Sequence, residues 1–404
     1  MKMLVLLCGG FIATLAPGVL AAGIPLVEPL VEDNTAFGLH LYGQLRARGN
    51  LILSPYSISS ALAMTYAGAR GQTALQMEQA LRFQNGMTNL HSTFQQLNES
   101  LNALREDGKL EVSLANSLWP MKRYALKDEF LTLIKAGYGA EITPLDFAKE
   151  AENSRMIINS WVDDQTRHKI TDIIPPGGVD ALTRLVLVNA IYFKGAWAHP
   201  FSESQTRIED FRVNAATVIK SAFMRQTADF SYGENDQLQL IIIPYQKNRL
   251  EMAILLPRKP DGLEELEGGL APDKLTVWRA SVRREKVIVS LPKFKMTTSF
   301  ELANPLQSIG MTDAFSPLRA DFSGMDGHRR WLYISRVIHK AFIDVNETGT
   351  EAAAATAVTM RATAMRRESE PRVFRADHPF FFLIRDSLTG TILFLGRVAQ
   401  PSDK

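Results

Sequence analysis

The sequence predicts a large α+β fold, and three observations support this prediction. Helical patterns fill the first part of the 404-residue chain, up to about residue 166. Strand patterns dominate from residue 185 onward. No Gly/Ser linker, break in composition or repeat of fixed period divides the chain. Helices followed by strands are typical of an α+β domain, so we expect one domain, although the length alone would allow two or three.

The predicted helices show apolar residues at spacings of three and four. Asp33 or Asn34 is a candidate N-cap for the first helix. Its apolar side would consist of Phe37, Leu41 and Leu45. The further predicted helices span residues 58–66, 73–81, 89–105, 127–137 and 152–166.

The predicted strands include a nine-residue apolar run, Leu185–Phe193, that is interrupted only by Asn189. This run is short and rich in β-forming residues, which indicates a central buried strand. Further strands are predicted at Leu238–Pro244, Leu250–Leu256, Lys286–Leu291, Val337–Val345, Phe380–Arg385 and Thr391–Val398. The five residues 386–390 predict a hairpin between the last two.

The composition is that of an ordinary globular protein, with 46% hydrophobic and 22% charged residues. The 45 basic and 43 acidic residues leave a net charge of +2, which gives no electrostatic reason to expect a nucleic-acid partner. The single cysteine, Cys8, excludes an intrachain disulfide and a cysteine-rich zinc site.

The amino terminus has the pattern of a secretory signal peptide at residues 1–21. Lys2 precedes an apolar run from Met3 to Leu15, and Val19-Leu20-Ala21 fits the cleavage pattern. The alternative is a membrane anchor, but the run is shorter than the roughly 20 residues that span a bilayer. Cleavage would leave a chain of residues 22–404, secreted to the extracellular space, or to the periplasm if the source is bacterial. We expect no membrane association of that chain.

No local catalytic or metal-binding motif is present in the sequence. It lacks a G-x-S-x-G elbow, an H-E-x-x-H motif and a P-loop. The seven histidines are scattered, and no pair has metal-ligand spacing on one helix face. We therefore expect neither an enzyme nor a metal site.

Residues 347–371 lie between two strand signals and show no clear apolar face. A 25-residue connection is long for a compact domain, and such loops are usually functional or disordered. The alanines at 352–355 leave a surface helix as an alternative. However, alternate residues from Thr350 to Met360 are all small or apolar, whereas Glu351 and Arg361 fall in the other set. This segment is therefore able to become a half-buried strand of a sheet.

Five motifs in order resemble those of the serpins, and the resemblance covers essentially all of residues 22–404. The motifs are Asn50–Ser60 (NLILSPYSISS), Leu187–Trp197 (LVNAIYFKGAW), Leu291–Phe294 (LPKF), Asp377–Arg385 (DHPFFFLIR) and Gly390–Arg397 (GTILFLGR). Glu347 to Ala357 is similar to the proximal hinge of inhibitory members.

This resemblance implies a fold of about eight or nine helices around three β-sheets, with an exposed reactive-centre loop at about 347–371. It implies a monomeric inhibitor that needs no cofactor and forms a covalent acyl complex with a target serine protease. Cleavage of the loop would let it insert into the largest sheet and trap the protease before deacylation. Polymerisation by exchange of the loop between molecules would be a hazard.

The resemblance also assigns roles to individual residues. The hinge residues are Glu347, Gly349, Thr350, Ala352, Ala353, Ala354 and Ala355. The sequence departs from the inhibitory pattern at Thr348, where glutamate is common. Ser54, Ser57, Asn189 and His339 resemble the shutter, the polar cluster beneath the point where the sheet opens. Trp197 and a Lys293–Glu347 pair resemble the breach, the top of the sheet where insertion begins.

The reactive bond usually lies fourteen residues after the hinge glycine, which places it at Thr363-Ala364. A small β-branched residue there suits elastase-like or subtilisin-like proteases with a shallow pocket. Arg361 or Arg366 would instead suit a trypsin-like protease. A second alternative is a serpin that does not inhibit proteases, such as a carrier, storage protein or chaperone.

Overall fold

A computed structural model describes residues 27–47, 49–83, 89–103, 110–350 and 370–402. Its helices are α1 (Glu28–Leu45), α2 (Pro55–Gly68), α3 (Gly71–Leu81), α4 (Leu90–Asn102), α5 (Asp128–Tyr138), α6 (Ala151–Gln165), α7 (Leu263–Gly268), α8 (Pro272–Ser281), α9 (Ala303–Ser308) and α10 (Ser323–Asp326). The predicted helices of the first part of the chain are all present.

The strands follow the predicted order, with several that the sequence did not reveal. They are β1 (Leu51–Leu53), β2 (Leu110–Pro120), β3 (Glu141–Ile142), β4 (Leu185–Ala196), β5 (Arg207–Arg212), β6 (Val218–Glu234), β7 (Leu238–Pro244), β8 (Leu250–Pro257), β9 (Arg283–Pro292), β10 (Phe294–Glu301), β11 (Ile334–Asn346), β12 (Gly349–Thr350), β13 (Arg372–Arg375), β14 (Phe380–Asp386) and β15 (Ile392–Val398). The α+β class is confirmed.

Hydrogen bonding arranges these strands in two sheets. One has six strands in the order β10-β11-β12-β4-β2-β3; the other runs β1-β15-β14-β8-β7-β6-β9-β13, with β5 paired to β6. The resemblance implies three sheets. Two of these are joined here because the 17-residue β6 pairs with β5 and β9 along most of its length and with β7 at Ser231–Glu234.

The first helix begins earlier than the sequence pattern predicts, so the proposed caps Asp33 and Asn34 are wrong. Pro29 lies at the start of α1 and Glu28 in its first turn, both of which favour a helix start there. Leu30 and Val31 are buried and extend the apolar side of the helix towards its amino terminus.

Helix α2 lies between the two sheets and carries part of the candidate site. It packs against β2 and β4 on one sheet and β15 on the other, and nearly all its residues are buried. Its start follows from the sequence, because the Ser54 Oγ accepts the Ser57 N–H at 3.2 Å and Pro55 is the first helical residue. Ser54 and Ser57 are thereby held directly beneath the six-stranded sheet.

Candidate functional site

At one end of the six-stranded sheet, here called its top, a two-residue strand lies between the carboxyl ends of β4 and β11. Strand β12 pairs antiparallel with β11 through Val345↔Thr350 and with β4 through Gly195↔Thr350. Further down, β4 and β11 are direct neighbours and run parallel. The two strands therefore diverge at the top, and β12 fills the first part of the gap.

Gly349 is required at this position because the backbone of β4 passes very close to it. A Cβ on Gly349 would lie 2.1 Å from the Gly195 carbonyl oxygen. Its φ of +152° is also one that residues with side chains rarely adopt. The predicted hinge glycine thus has a local structural reason in the sheet itself.

Thr350, the next residue, is fully buried in the gap. Its hydroxyl shares a hydrogen bond of 2.8 Å with the Tyr245 hydroxyl. Tyr245 stacks on Trp197 with ring centroids 4.5 Å apart, and burial raises the pKa of its phenol. Thr350 therefore faces inward, as the period-two pattern of the segment predicts for its own position.

The residues assigned to the breach come together around the turn before β12. The Trp197 Nε1–H donates to the Asn346 carbonyl oxygen at 3.0 Å, and its backbone N–H donates to that of Thr348 at 3.0 Å. Lys293 Nζ lies 2.9 Å from a carboxylate oxygen of Glu347, which is buried. These contacts hold the turn in place and aim the chain into the gap.

Glu347 remains ionised in spite of its burial. Burial alone would raise its pKa, but the hydrogen bonds from Lys293 and from the Thr206 hydroxyl, at 2.8 Å, outweigh this effect. The pKa of Glu347 is therefore held below its ordinary value. Its contribution to stability is present above the ordinary glutamate pKa and is lost as the pH falls below it.

We expect Glu347→Gln to destabilise the native state by about 1–2 kcal/mol. The buried carboxylate accepts one bond from the Lys293 ammonium group and one from the Thr206 hydroxyl, and a neutral amide replaces both poorly. The midpoint of urea denaturation at pH 7 measures this change. Glu203→Gln, at an exposed position three residues before Thr206, serves as the control and should leave the midpoint unchanged. Equal midpoints for the wild type and Glu347→Gln would contradict the assigned role of the ion pair.

The four residues assigned to the shutter are also brought together, at mid-height in the sheet. The Ser54 N–H donates to His339 Nε2 at 3.2 Å. His339 Nδ1 bonds the Asn189 carbonyl oxygen Oδ1, and the Asn189 amide bonds the Ser57 hydroxyl. His339 and Asn189 are direct partners on β11 and β4, so this cluster spans the boundary between the two parallel strands.

These bonds define the protonation state of His339. Because Ser54 donates to Nε2, this nitrogen is an acceptor, and Nδ1 must carry the proton given to Asn189. Burial lowers the pKa of His339 to about 3. The cluster is therefore built around a neutral imidazole.

Sequence analysis missed three residues of this site. Asn116 on β2 pairs across the sheet with Asn189 and accepts a hydrogen bond from Ser57 Oγ at 3.2 Å. Tyr245 and Thr206 bond Thr350 and Glu347. Apolar residues alternate with others in the run 110–120, which could have indicated a strand. The polar Asn116, at an apolar position of this run, could then have indicated a residue of the site.

Several predicted residues lie outside the described part of the chain. They are the hinge alanines Ala352, Ala353, Ala354 and Ala355, the reactive-bond residues Thr363 and Ala364, the alternatives Arg361 and Arg366, and the signal peptide at residues 1–21.

One group of potential metal ligands occurs among the described residues, at the end of α6. Ligand atoms of Asp163, Asp164 and His168 lie within 4.8 Å of one another, but Asp164 and His168 are exposed. His168 Nδ1 already bonds Asp163 at 2.7 Å, so an ordinary surface ion pair accounts for the group.

Among the residues that the structure describes, no helix is both long enough and apolar enough to cross a membrane.

Comparison with known proteins identifies the family. A family model described as serpin, serine protease inhibitor, matches residues 32–401. The chain belongs to the serpin family. Relatives of this serpin include an uncharacterised serpin-like protein of Thermococcus kodakarensis, 42% identical over 93% of this chain and 87% of the relative. Leukocyte elastase inhibitor of Homo sapiens is 40% identical over 93% of this chain and 100% of the relative.

Solved structures confirm the serpin fold. Uncleaved ovalbumin superposes with a TM-score of 0.82 at 32% identity, covering 92% of this chain and 99% of ovalbumin. Human thyroxine-binding globulin with bound thyroxine superposes with a TM-score of 0.84 at 28% identity, covering 93% and 99%. The family description and the inhibitor relatives support protease inhibition rather than catalysis.

Proposed function

We propose that this serpin is a secreted suicide-substrate inhibitor of serine proteases that acts by inserting its cleaved loop between β4 and β11. One observation carries the proposal: Gly349 and Thr350 already occupy the top of the gap, antiparallel to both strands. An antiparallel strand in this position can continue downward only by separating β4 from β11. The hinge is therefore aligned for the movement that the mechanism requires.

We infer the path of the rest of the loop from the register of β12. Thr350 pairs with Gly195 and Val345, so each later residue would pair one position lower on both strands. Residue 356 then meets Asn189 and His339, and residue 363 meets Leu182. Insertion up to Thr363 carries the cleaved end roughly 40 Å from the top of the sheet.

The expected chemistry uses the catalytic groups of the protease. Its serine oxygen attacks the carbonyl carbon of the reactive bond, the C–N bond breaks, and the amine leaves with a proton, so an ester remains. The free loop then gains backbone hydrogen bonds on both edges as it enters the sheet. Inhibition results when insertion is faster than hydrolysis of this ester.

We place the reactive bond at Thr363-Ala364 and expect an elastase-like or subtilisin-like target. The names of the leukocyte elastase inhibitors among the relatives support this choice. A trypsin-like target reached through Arg361 or Arg366 is the alternative. The signal pattern at residues 1–21 is the basis for secretion, and we expect a monomer with loop exchange as a hazard.

The test is to incubate the purified protein with elastase, subtilisin and trypsin and to examine the products on denaturing gels. We expect an SDS-stable complex with an elastase-like or subtilisin-like protease, because an ester survives denaturation. Sequencing of the released peptide should give an amino terminus at Ala364. Cleavage without a complex for every protease would reject inhibition and favour a carrier or storage role.

A carrier role is the second candidate, because the fold is also that of thyroxine-binding globulin, which was solved with thyroxine. The small residues after Gly349 favour inhibition, since bulky or charged residues would slow entry into the sheet. The gel experiment distinguishes the two functions.

A further inference from the structure

Two segments of the chain meet at the lower end of the six-stranded sheet, opposite to β12. Residues 122–127 follow β2, which ends beside the start of β4, and residues 327–331 lie between α10 and β11. The Lys127 N–H donates to the Met325 carbonyl oxygen at 2.8 Å, and its ammonium group donates to that of Ser323 at 2.9 Å. These bonds hold the two segments side by side, and the area that they form is here called the lower surface.

Three aromatic rings lie against one another on the lower surface. The rings of His328 and Trp331 are stacked, with centroids 3.7 Å apart and an angle of 20° between their planes. The ring of Tyr124, from the other segment, lies 6.0 Å from that of Trp331. Trp331 is 49% exposed, and His328 is exposed as well. The lower surface therefore presents aromatic rings to water, and a further flat ring can cover them by stacking.

Four basic side chains of the lower surface make no ion pair among the described residues, namely those of Lys122, Arg123, Lys127 and Arg330. The Arg123 guanidinium lies over the Tyr124 ring, 4.9 Å from its centroid, and donates to the hydroxyl at 2.7 Å. The ammonium group of Lys127 bonds only a neutral carbonyl oxygen. Lys122 and Arg330 are exposed. These positive charges are therefore available to an anionic partner.

Two of the four carboxylates in this region are buried. They belong to Asp321 and Asp326, and Asp321 lies 2.8 Å from Arg329, whose side chain is nevertheless 74% exposed. The other two, Asp128 and Glu129, are exposed in the first turn of α5. The outward-facing groups are thus five basic against two acidic. The net charge of +2 for the whole chain averages over this local excess, so it gives no indication of it.

We propose that the lower surface binds single-stranded nucleic acid. Proteins that bind such strands combine basic groups, which contact the phosphates, with aromatic rings on which the bases stack. The rings of Trp331 and His328 supply the stacking surface, and the basic groups around them contact the phosphates on either side. A sulfated polysaccharide has the negative charge but no flat bases. The proposal goes beyond the inhibitory function and does not depend on it, since the top of the sheet remains free.

The first test measures the binding of a fluorescently labelled oligo(dT) by anisotropy. Four unpaired basic groups predict that the affinity falls about 50-fold between about 50 and 200 mM salt. Trp331→Ala should weaken binding about tenfold, because the stacking of one base is lost. A stability measurement on this variant shows whether it is folded.

A second pair of variants changes exposed side chains only, so it decides the question even if Trp331→Ala fails to fold. Lys122→Gln combined with Arg330→Gln removes two phosphate contacts and should reduce the slope of log affinity against log salt by about 1.4. Lys220→Gln combined with Lys259→Gln is the matched control, because it changes the net charge equally at side chains that are 70% and 73% exposed. The control should bind oligo(dT) as the wild type does.

An abasic strand of the same length separates stacking from charge, because it keeps the phosphates and lacks the bases. The wild type should bind it about tenfold more weakly than oligo(dT), whereas Trp331→Ala should bind both strands equally. Equal binding of both strands to the wild type, or heparin binding that Trp331→Ala leaves unchanged together with no preference for oligo(dT), would identify a general polyanion surface and overturn the proposal. Absence of oligo(dT) binding at about 50 mM salt, or an equal loss in the matched control, would also overturn it.

Discussion

Thr350→Arg should convert the inhibitor into a substrate that is cleaved without trapping its protease. Thr350 is fully buried between β4 and β11, where its hydroxyl bonds Tyr245. Insertion would have to bury an arginine there without a partner, which costs several kcal/mol. An increase of about 1.4 kcal/mol in the barrier already slows a step tenfold. We therefore expect insertion to be slowed by about 100-fold or more, so that hydrolysis wins.

In the native state the arginine would displace β12 from the gap, and the rest of the fold should survive this change, because β12 contributes only two residues at one end of the sheet. Thr350→Ser keeps the hydroxyl and the small size, and it should still form the SDS-stable complex. Circular dichroism confirms the fold of both variants, and gels with an elastase-like protease measure complex against cleaved inhibitor. Undiminished complex formation by Thr350→Arg would refute the insertion path through this gap.

The sequence predicts the central strand well because its pattern is local. The apolar run Leu185–Phe193 is buried on both faces, which a continuous hydrophobic stretch indicates. The close approach at Gly349 agrees with the glycine there. The requirement of the strand is met by neighbouring residues, whereas the glycine is required by the backbone of Gly195, which lies far away in the sequence.

Other features depend on residues far apart in the chain, and their patterns could not be recognised locally. Strand β2 contains Ser113, Asn116 and Ser117, which weaken its apolar signal. Its polar Asn116 bonds Ser57 and Asn189, which lie on α2 and β4. Likewise, the lower surface exists only because two segments that are distant in the chain meet there.

Acid should weaken the native state through His339. Its pKa is about 3 in the native state, below the ordinary histidine value of about 6.5. Its contribution to stability is therefore complete above about pH 6.5 and declines as the pH falls towards 3. Between pH 7 and pH 5 the loss amounts to about 2 kcal/mol.

The structural cause is that a proton on His339 Nε2 would face the Ser54 N–H, a donor against a donor. The bond between His339 and Asn189 crosses from β11 to β4. Disturbing this cluster therefore lowers the resistance to separation of the same two strands that the loop must enter. Acid should destabilise the closed sheet and accelerate insertion or polymerisation together.

The measurement is the change in the midpoint of urea denaturation between pH 7 and pH 5. His339→Gln should have a lower midpoint at pH 7 but a smaller change with pH than the wild type, because it lacks the titrating group. His199→Gln, at an exposed histidine, should keep the pH dependence of the wild type. Equal pH dependence in the wild type and His339→Gln would show that the loss of stability in acid arises at other residues. The shutter would then resist opening through its packing rather than through a neutral histidine.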